Sequence, residues 1–308
     1  MSPRVSVIVP TRDRREKLGR ALDGVEAQRF RDFEVVIVDD ASTDGTLPWL
    51  AARWPDVRAL AMAHPAGAAA ARNRAVEHAR GELLAFLDDD DRWRPEYLEA
   101  QVGLLDAVPE ADLSYADNVE TDARGRHARP DARPLVSYPS PLVWLLAECF
   151  IHTLSAVVCR RAAFDRVGGF DERLAVVHDL DWYGRILADG GSIAHVAAPL
   201  VERGVPGGLV EAHRRWFEEE CLVRARAFAR CPAARDSERL VAVYRCLFFA
   251  RTGLGKGDLV FGLRRLAEAF ARSPVWALRI AALRVGRRIG IDAGPEATAW
   301  DAAGSVAR

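Results

Sequence analysis

The sequence predicts an α/β fold, a mostly parallel sheet with helices on both faces. Three observations point there. Short apolar runs alternate with amphipathic ones through the first two-thirds of the chain. Those short runs are almost wholly apolar rather than alternating, as expected when both faces of a sheet are covered. Three of them end in polar residues suited to a ligand, namely Thr11-Arg12-Asp13, Asp39-Asp40 and Asp88 to Asp91. In open parallel sheets, ligands bind beyond the carboxyl ends of the strands.

Val5–Val9 reads as the first strand. Arg15 to Gln28 carries Leu18, Ala21, Leu22 and Val25 at helical spacing. Glu34–Val38 is the second strand, and Ser42 or Asp44 can cap the helix holding Leu47, Trp49 and Leu50. Val57–Met62 is a weaker third strand. Ala68 to Arg80 is an alanine-rich helix, because alanine is the strongest helix former. Leu83–Leu87 is a central strand. Residues 112–140 read as an irregular excursion. Leu154–Cys159 is a further strand, Val167 to Glu172 a turn that uses the backbone freedom of Gly168 and Gly169, and His178 to Ala188 a helix. Beyond Gly207-Gly208 long helical patterns run, broken at Pro232 and Pro274. The expected organisation is a domain over residues 1–205, a helical C-terminal region over 206–291 and a disordered tail over 292–308.

Half of the 308 residues are hydrophobic, the ordinary share for a globular protein. No apolar run is long enough to cross a bilayer, and Val5–Val9 is too short for a signal-peptide core, so a cytoplasmic location is expected. The five cysteines are odd in number, widely spaced and without a Cys-x-x-Cys pair, which favours free thiols over disulfides or zinc. Charge is uneven. Residues 1–202 carry 24 Lys and Arg against 33 Asp and Glu, and residues 203–308 carry 19 against 11. The basic C-terminal part is either a candidate for peripheral contact with anionic lipid, an anionic acceptor or another protein, or a surface bias with no function.

The most informative stretch is Leu83 to Trp93, in which an apolar run leads into four consecutive aspartates, Asp88 to Asp91. Adjacent like charges repel. Two readings stand, a solvated acidic turn or an oxygen-rich site for a hard cation. Mg²⁺ or Mn²⁺ commonly binds one or two carboxylates together with substrate phosphates.

Taken jointly, several motifs resemble a known family. They are Val5 to Thr11 with Val38 to Asp44; Gly67 to Arg74; Phe86 to Trp93; Gly168-Gly169-Phe170-Asp171-Glu172; and His178-Asp179-Leu180-Asp181-Trp182. The chain over roughly 1–205 is similar to the family 2 glycosyltransferases. The resemblance implies the GT-A fold, a Rossmann-like mixed, mostly parallel sheet with helices on both faces, here followed by a helical C-terminal region. It implies an inverting transferase, dependent on Mg²⁺ or Mn²⁺, that moves a sugar from a nucleotide-diphosphate donor to a hydroxyl-bearing acceptor (glycan, lipid-linked or small molecule), with no nucleic-acid partner.

The resemblance also carries roles to particular residues. Asp39 matches the acid that bonds the nucleobase, with Pro10, Thr11 and Arg12 lining the same pocket. Asp90 matches the metal ligand, and Asp88 or Asp89 the contact to ribose or donor sugar. Arg72 meets the diphosphate or ribose. Asp179 matches the catalytic base. The glutamate that usually precedes that base is replaced by His178, which with Trp182 is a candidate for acceptor contact, core packing being the equal alternative for Trp182. The physics agrees with this division. Inversion needs a carboxylate to take the acceptor proton and a cation to stabilise the departing diphosphate.

Two rivals of other classes remain. A sugar-phosphate nucleotidyltransferase would show a glycine-rich loop after the first strand, where this chain reads Pro10-Thr11-Arg12-Asp13-Arg14. A catalytically lapsed sugar-nucleotide-binding or scaffold protein is the other. A nicotinamide dehydrogenase is disfavoured, because no Gly-x-Gly-x-x-Gly follows the first strand.

Overall fold

The computed structural model describes residues 2–121, 127–128, 137–204 and 213–288. The chain forms two compact units. The first comprises Met1–Asp131, Ile151–Trp182 and Gly191–Val205, and the second Ala132–Phe150, Tyr183–Gly190 and Pro206–Arg308.

In the first unit β1 (Val5–Thr11), α1 (Arg15–Glu26), β2 (Phe33–Asp39), α2 (Thr46–Arg53), β3 (Arg58–Ala61), α3 (Ala68–His78) and β4 (Leu83–Phe86) follow one another in strict alternation. These four strands pair in parallel in the order β3-β2-β1-β4. β1 and β4 are buried along their whole length, which explains their largely apolar sequence, with the buried Ser6 hydroxyl donating to Glu34. α3 is built from alanines whose small side chains are buried, so the helix lies close on β1 and β2. The register sets Thr11 opposite Asp39, which brings the polar ends of β1 and β2 side by side.

Beyond β4 the sheet becomes mixed. Next come β5 (Arg92–Trp93), α4 (Tyr97–Ala107), β6 (Leu113–Thr121), β7 (His127–Ala128), α5 (Pro141–Glu148, in the second unit), β8 (Val157–Arg160), α6 (Arg161–Val167), α7 (His178–Ala188) and β9 (Ile193–Arg203). The nine-stranded sheet runs β3-β2-β1-β4-β8-β6-β9-β5, with β7 on β6. β8 is antiparallel to both β4 and β6, whereas β6 and β9 are parallel.

Two elements correct the sequence reading. Residues 113–121, expected to be irregular, form β6 in the interior of the sheet. Its pattern was obscured by buried polar groups, among them Ser114, Asp117 and Asn118. Asp117 is satisfied by His195 on β9, 2.8 Å away. Leu154–Ala156 is a 3₁₀ turn, so β8 starts only at Val157. Most of the Arg- and Pro-rich stretch from 124 to 141, and the tail from 292, lie outside the described residues.

The second unit contains α5 together with α8 (His213–Arg230), α9 (Glu238–Gly255), α10 (Leu259–Arg272) and α11 (Pro274–Arg288). Pro232 opens a 3₁₀ turn after α8 and Pro274 opens α11, positions where the missing proline N–H costs nothing. The core gathers Leu142, Val143 and Leu146 of α5 with Phe228, Val241, Val243 and Ile280. It also encloses charge. Glu220 pairs with Arg224 at 2.6 Å and Arg245 at 2.5 Å, all three buried. α9 and α10 meet at two glycines. A Cβ on Gly253 would lie 2.8 Å from Phe261, and one on Gly262 would lie 2.7 Å from Leu254.

Candidate active site

The four aspartates after β4 divide into two pairs. Asp88 and Asp90 keep 31% and 19% of their side-chain surface exposed, whereas Asp89 and Asp91 are buried. Asp89 accepts from the Thr11 hydroxyl at 2.8 Å and from Arg14 at 3.1 Å. Asp91 accepts from the Thr153 hydroxyl and from the Gly204 N–H, each at 2.9 Å. Burial raises the pKa of Asp89. Burial, and then the charge of Asp88, pushes Asp91 up to about 7. Asp89 and Asp91 thus tie the turn to β1 on one side and to the segments around Thr153 and Gly204 on the other. Of Asp88 and Asp89, the two candidates for contact to ribose or donor sugar, Asp89 has both oxygens engaged by internal partners. The accessible carboxylates are Asp88 and Asp90, an Asp-x-Asp spacing hidden within a run of four.

Asp90 accepts from Arg14 at 3.3 Å and from Lys17 at 3.4 Å. The sequence reading missed both cations. They lie three residues apart around the start of α1, where such residues ordinarily form a solvated face; their only signal is that spacing directly after Thr11-Arg12-Asp13. Gly204 is pressed against the same turn, and a Cβ there would lie 2.4 Å from the Asp90 carbonyl oxygen.

Beside this turn, the loops after β1 and β2 brace each other. Asp13 and Ala41 hold left-handed backbone at φ 50° and 59°. The Thr43 N–H donates to Asp13 at 2.6 Å, and the Asp13 N–H to the Ser42 hydroxyl at 2.9 Å. Asp39 is buried and accepts from the Ser42 N–H at 2.9 Å. Its neighbour Asp40 holds the Ala66 and Gly67 N–H groups at 2.7 and 2.9 Å, an anchor for the entry to α3. Pro10 and Thr11 are buried at the end of β1, and Arg12 is exposed beside Asp13.

Arg72 is buried on α3. One nitrogen ion-pairs with Asp88 and another lies 2.6 Å from His178 Nε2. A guanidinium can only donate, so His178 accepts through Nε2 and carries its proton on Nδ1. The next residue, Asp179, is partly buried at the start of α7. Loss of solvent pushes it up to about 6; Arg72 opposes the shift and Asp88 adds to it. Asp88, Arg72, His178 and Asp179 therefore form one connected group drawn from β4, α3 and α7. Asn73, next to Arg72, ties the glycine turn to α3. It donates to the Phe170 carbonyl and to Glu172, and it accepts from the Phe170 N–H, each at 2.9 Å.

Of the two residues considered for acceptor contact, Trp182 has no exposed surface and packs against Phe86, Phe164 and Phe170 at ring-centroid distances of 5.9, 5.6 and 5.3 Å, the core-packing arrangement. His178 is buried and its Nε2 is taken up by Arg72.

The residues fit a divalent cation of one kind. Among the described residues no cluster of three His, Cys, Asp or Glu side chains is placed to hold an ion. Asp88 and Asp90 could instead supply the one or two carboxylates with which a hard cation is held when substrate phosphates complete its shell.

A mixed sheet whose parallel strand ends converge on an Asp-x-Asp turn, with a separate carboxylate at a helix start, defines a transferase of the GT-A class. The sequence pattern described as "Glycosyl transferase family 2" matches residues 6–168, and the chain belongs to that family of glycosyltransferases. ExoO of Rhizobium meliloti, a succinoglycan biosynthesis protein, is 31% identical over 202 residues, covering 62% of this chain and 58% of its own. TuaG of Bacillus subtilis, named for teichuronic acid biosynthesis, is 39% identical over 106 residues, covering 33% and 42%. The matches thus span less than two-thirds of these relatives' length. Among solved structures, the mannosyltransferase PcManGT from Pyrobaculum calidifontis, in complex with GDP-Man and Mn²⁺, superposes with a TM-score of 0.62 at 24% identity, covering 95% of this chain and 82% of its own. S. aureus TarS 1-349 in complex with UDP-GlcNAc gives 0.57 at 20% identity, covering 100% and 99%. Both show the fold.

Proposed function

We propose that the first unit is an inverting glycosyltransferase acting on a nucleoside-diphosphate sugar, with Asp179 as general base. The observation that carries this reading is the bridge formed by Arg72. It joins Asp88, on the cation-attracting turn, to His178, the neighbour of a carboxylate whose pKa is raised to about 6. Inversion requires these two functions on opposite sides of one anomeric carbon.

In this mechanism Asp39 receives the nucleobase beside Pro10 and Thr11, with Arg12 at the rim. Asp90, with Asp88, would hold Mg²⁺ or Mn²⁺. When bound, the metal neutralises charge that develops on the leaving group. Asp179 accepts the acceptor's hydroxyl proton as the oxygen attacks the anomeric carbon, and the bond to the diphosphate oxygen breaks. Arg72 fixes the orientation of Asp88. Arg14 and Lys17 add positive charge beside Asp90, where the diphosphate sits. The complexes of the structural neighbours with UDP-GlcNAc and with GDP-Man and Mn²⁺ support a donor of this class.

A thermal-shift panel of nucleoside-diphosphate sugars with and without Mn²⁺ tests the donor, since a ligand that binds only the folded state raises the melting temperature. Release of nucleoside diphosphate then tests catalysis. A protein that binds a donor with Mn²⁺ yet never releases the diphosphate, with any acceptor or with water, would be a binding protein instead.

A further inference from the structure

The second unit carries a helix that is apolar on its outward face as well as its buried one. Every large hydrophobic side chain found exposed among the described residues lies in α8 to α11, and six of the eight lie in α10 and α11. On α10, Leu259, Val260, Leu263 and Phe270 occupy about 100° of arc at 3.6 residues per turn. Val260 is 77% exposed, Leu259 59% and Leu263 57%. On α11, Val275 is 73% exposed and Leu278 61%.

This is not a helix awaiting rotation. The opposite face of α10 buries Arg265, which pairs with Glu268 at 2.6 Å and lies 4.3 Å from the centre of the Phe217 ring. Gly253 and Gly262 set the contact between α9 and α10, and no larger side chain fits at either position without a shift. The buried face is held by the Arg265–Glu268 pair and by the close approach of Gly253 and Gly262, so the apolar face points outward.

Charge identifies the partner. Residues 259–288 hold seven arginines and one acid, Glu268. That acid is already neutralised by Arg265 and, at 3.4 Å, by Arg264. Arg264 borders the apolar arc of α10 and Arg279 that of α11. An apolar strip edged by arginines suits the boundary between acyl chains and anionic headgroups. No helix of the described residues is long and apolar enough to cross a membrane, so contact is along its surface. We propose that the outward faces of α10 and α11 form a docking surface for an anionic lipid bilayer.

Co-sedimentation of the full chain with phosphatidylcholine vesicles, with and without phosphatidylglycerol, tests this. Binding is expected only with the anionic lipid and is expected to weaken as salt is raised. Arg264→Gln and Arg279→Gln should each weaken it about fivefold. The double variant V260D/L263D should abolish it while melting as the parent does, because both side chains are exposed. Should that variant melt lower, the arginine variants and the salt dependence decide. No sedimentation, equal sedimentation with both vesicles, or binding untouched by the arginine substitutions would overturn the proposal. So would a lipid-independent dimer that V260D/L263D dissociates, which would make a second copy the occupant. None of these outcomes depends on transferase activity.

Discussion

Arg72 donates to His178 across 2.6 Å and so joins the alanine-rich helix α3 to the first residue of α7. The contact explains how a histidine serves immediately before the proposed base. A neutral imidazole accepts from the guanidinium without adding charge beside a carboxylate that is already hard to ionise. His178→Ala is expected to leave a buried Arg72 nitrogen without its acceptor and to cost about 2 kcal/mol in urea unfolding. His178→Gln, whose amide oxygen can accept in its place, should recover most of that loss.

The proposed base sets a pH dependence. Burial pushes Asp179 up to about 6, and a base works only when deprotonated. kcat/KM is expected to rise as pH climbs through about 6 and to level off above it. The folded protein holds this proton more tightly than the unfolded chain, whose aspartates titrate near about 4. Asp179 therefore lowers stability as pH rises across that window. Asp179→Asn should melt at a higher temperature at neutral pH, keep donor binding and lose about a hundred- to ten-thousandfold in kcat. Parent-like turnover would remove Asp179 from the chemistry.

Alternate aspartates should answer differently to substitution. Asp90→Asn is expected to abolish Mn²⁺-dependent binding of nucleoside diphosphate in calorimetry while leaving the melting temperature close to that of the parent. Asp91→Ala should do the reverse first. It strands the Thr153 hydroxyl and the Gly204 N–H, at a cost of about 1–3 kcal/mol each if neither finds water. Circular dichroism melts of the two variants check this.

Gly204→Ala probes the turn from its other side. The new Cβ would meet the Asp90 carbonyl at 2.4 Å, and backbone must move to admit it. The chain is expected to fold, with Asp90 displaced and the KM for donor raised more than kcat is lowered. A parent-like KM would show that the turn tolerates the shift.

How much of this was legible in the sequence follows from where side chains find their partners. β1, β2 and β4 announce themselves because strands covered on both faces are rich in apolar residues. Asp88 to Asp91 marked the site because four adjacent charges demand a remedy. The sequence could not say which carboxylates face inward, since that depends on Thr11, Thr153 and Gly204, which are distant along the chain. β6 was missed because Asp117 finds its partner in His195, 78 residues away. Trp182 was open between acceptor stacking and core packing, and only partners from distant elements, Phe86, Phe164 and Phe170, place the indole in the core.

The fastening of Asp89 and Asp91 also bears on what a donor encounters. A segment fixed at every second residue has little freedom left to lose when it grips a ligand, so the ordering entropy of that grip has already been met during folding. Capture of a cation and its diphosphate at the proposed Asp90 site should therefore resemble docking onto a rigid template more than the closing of a loop.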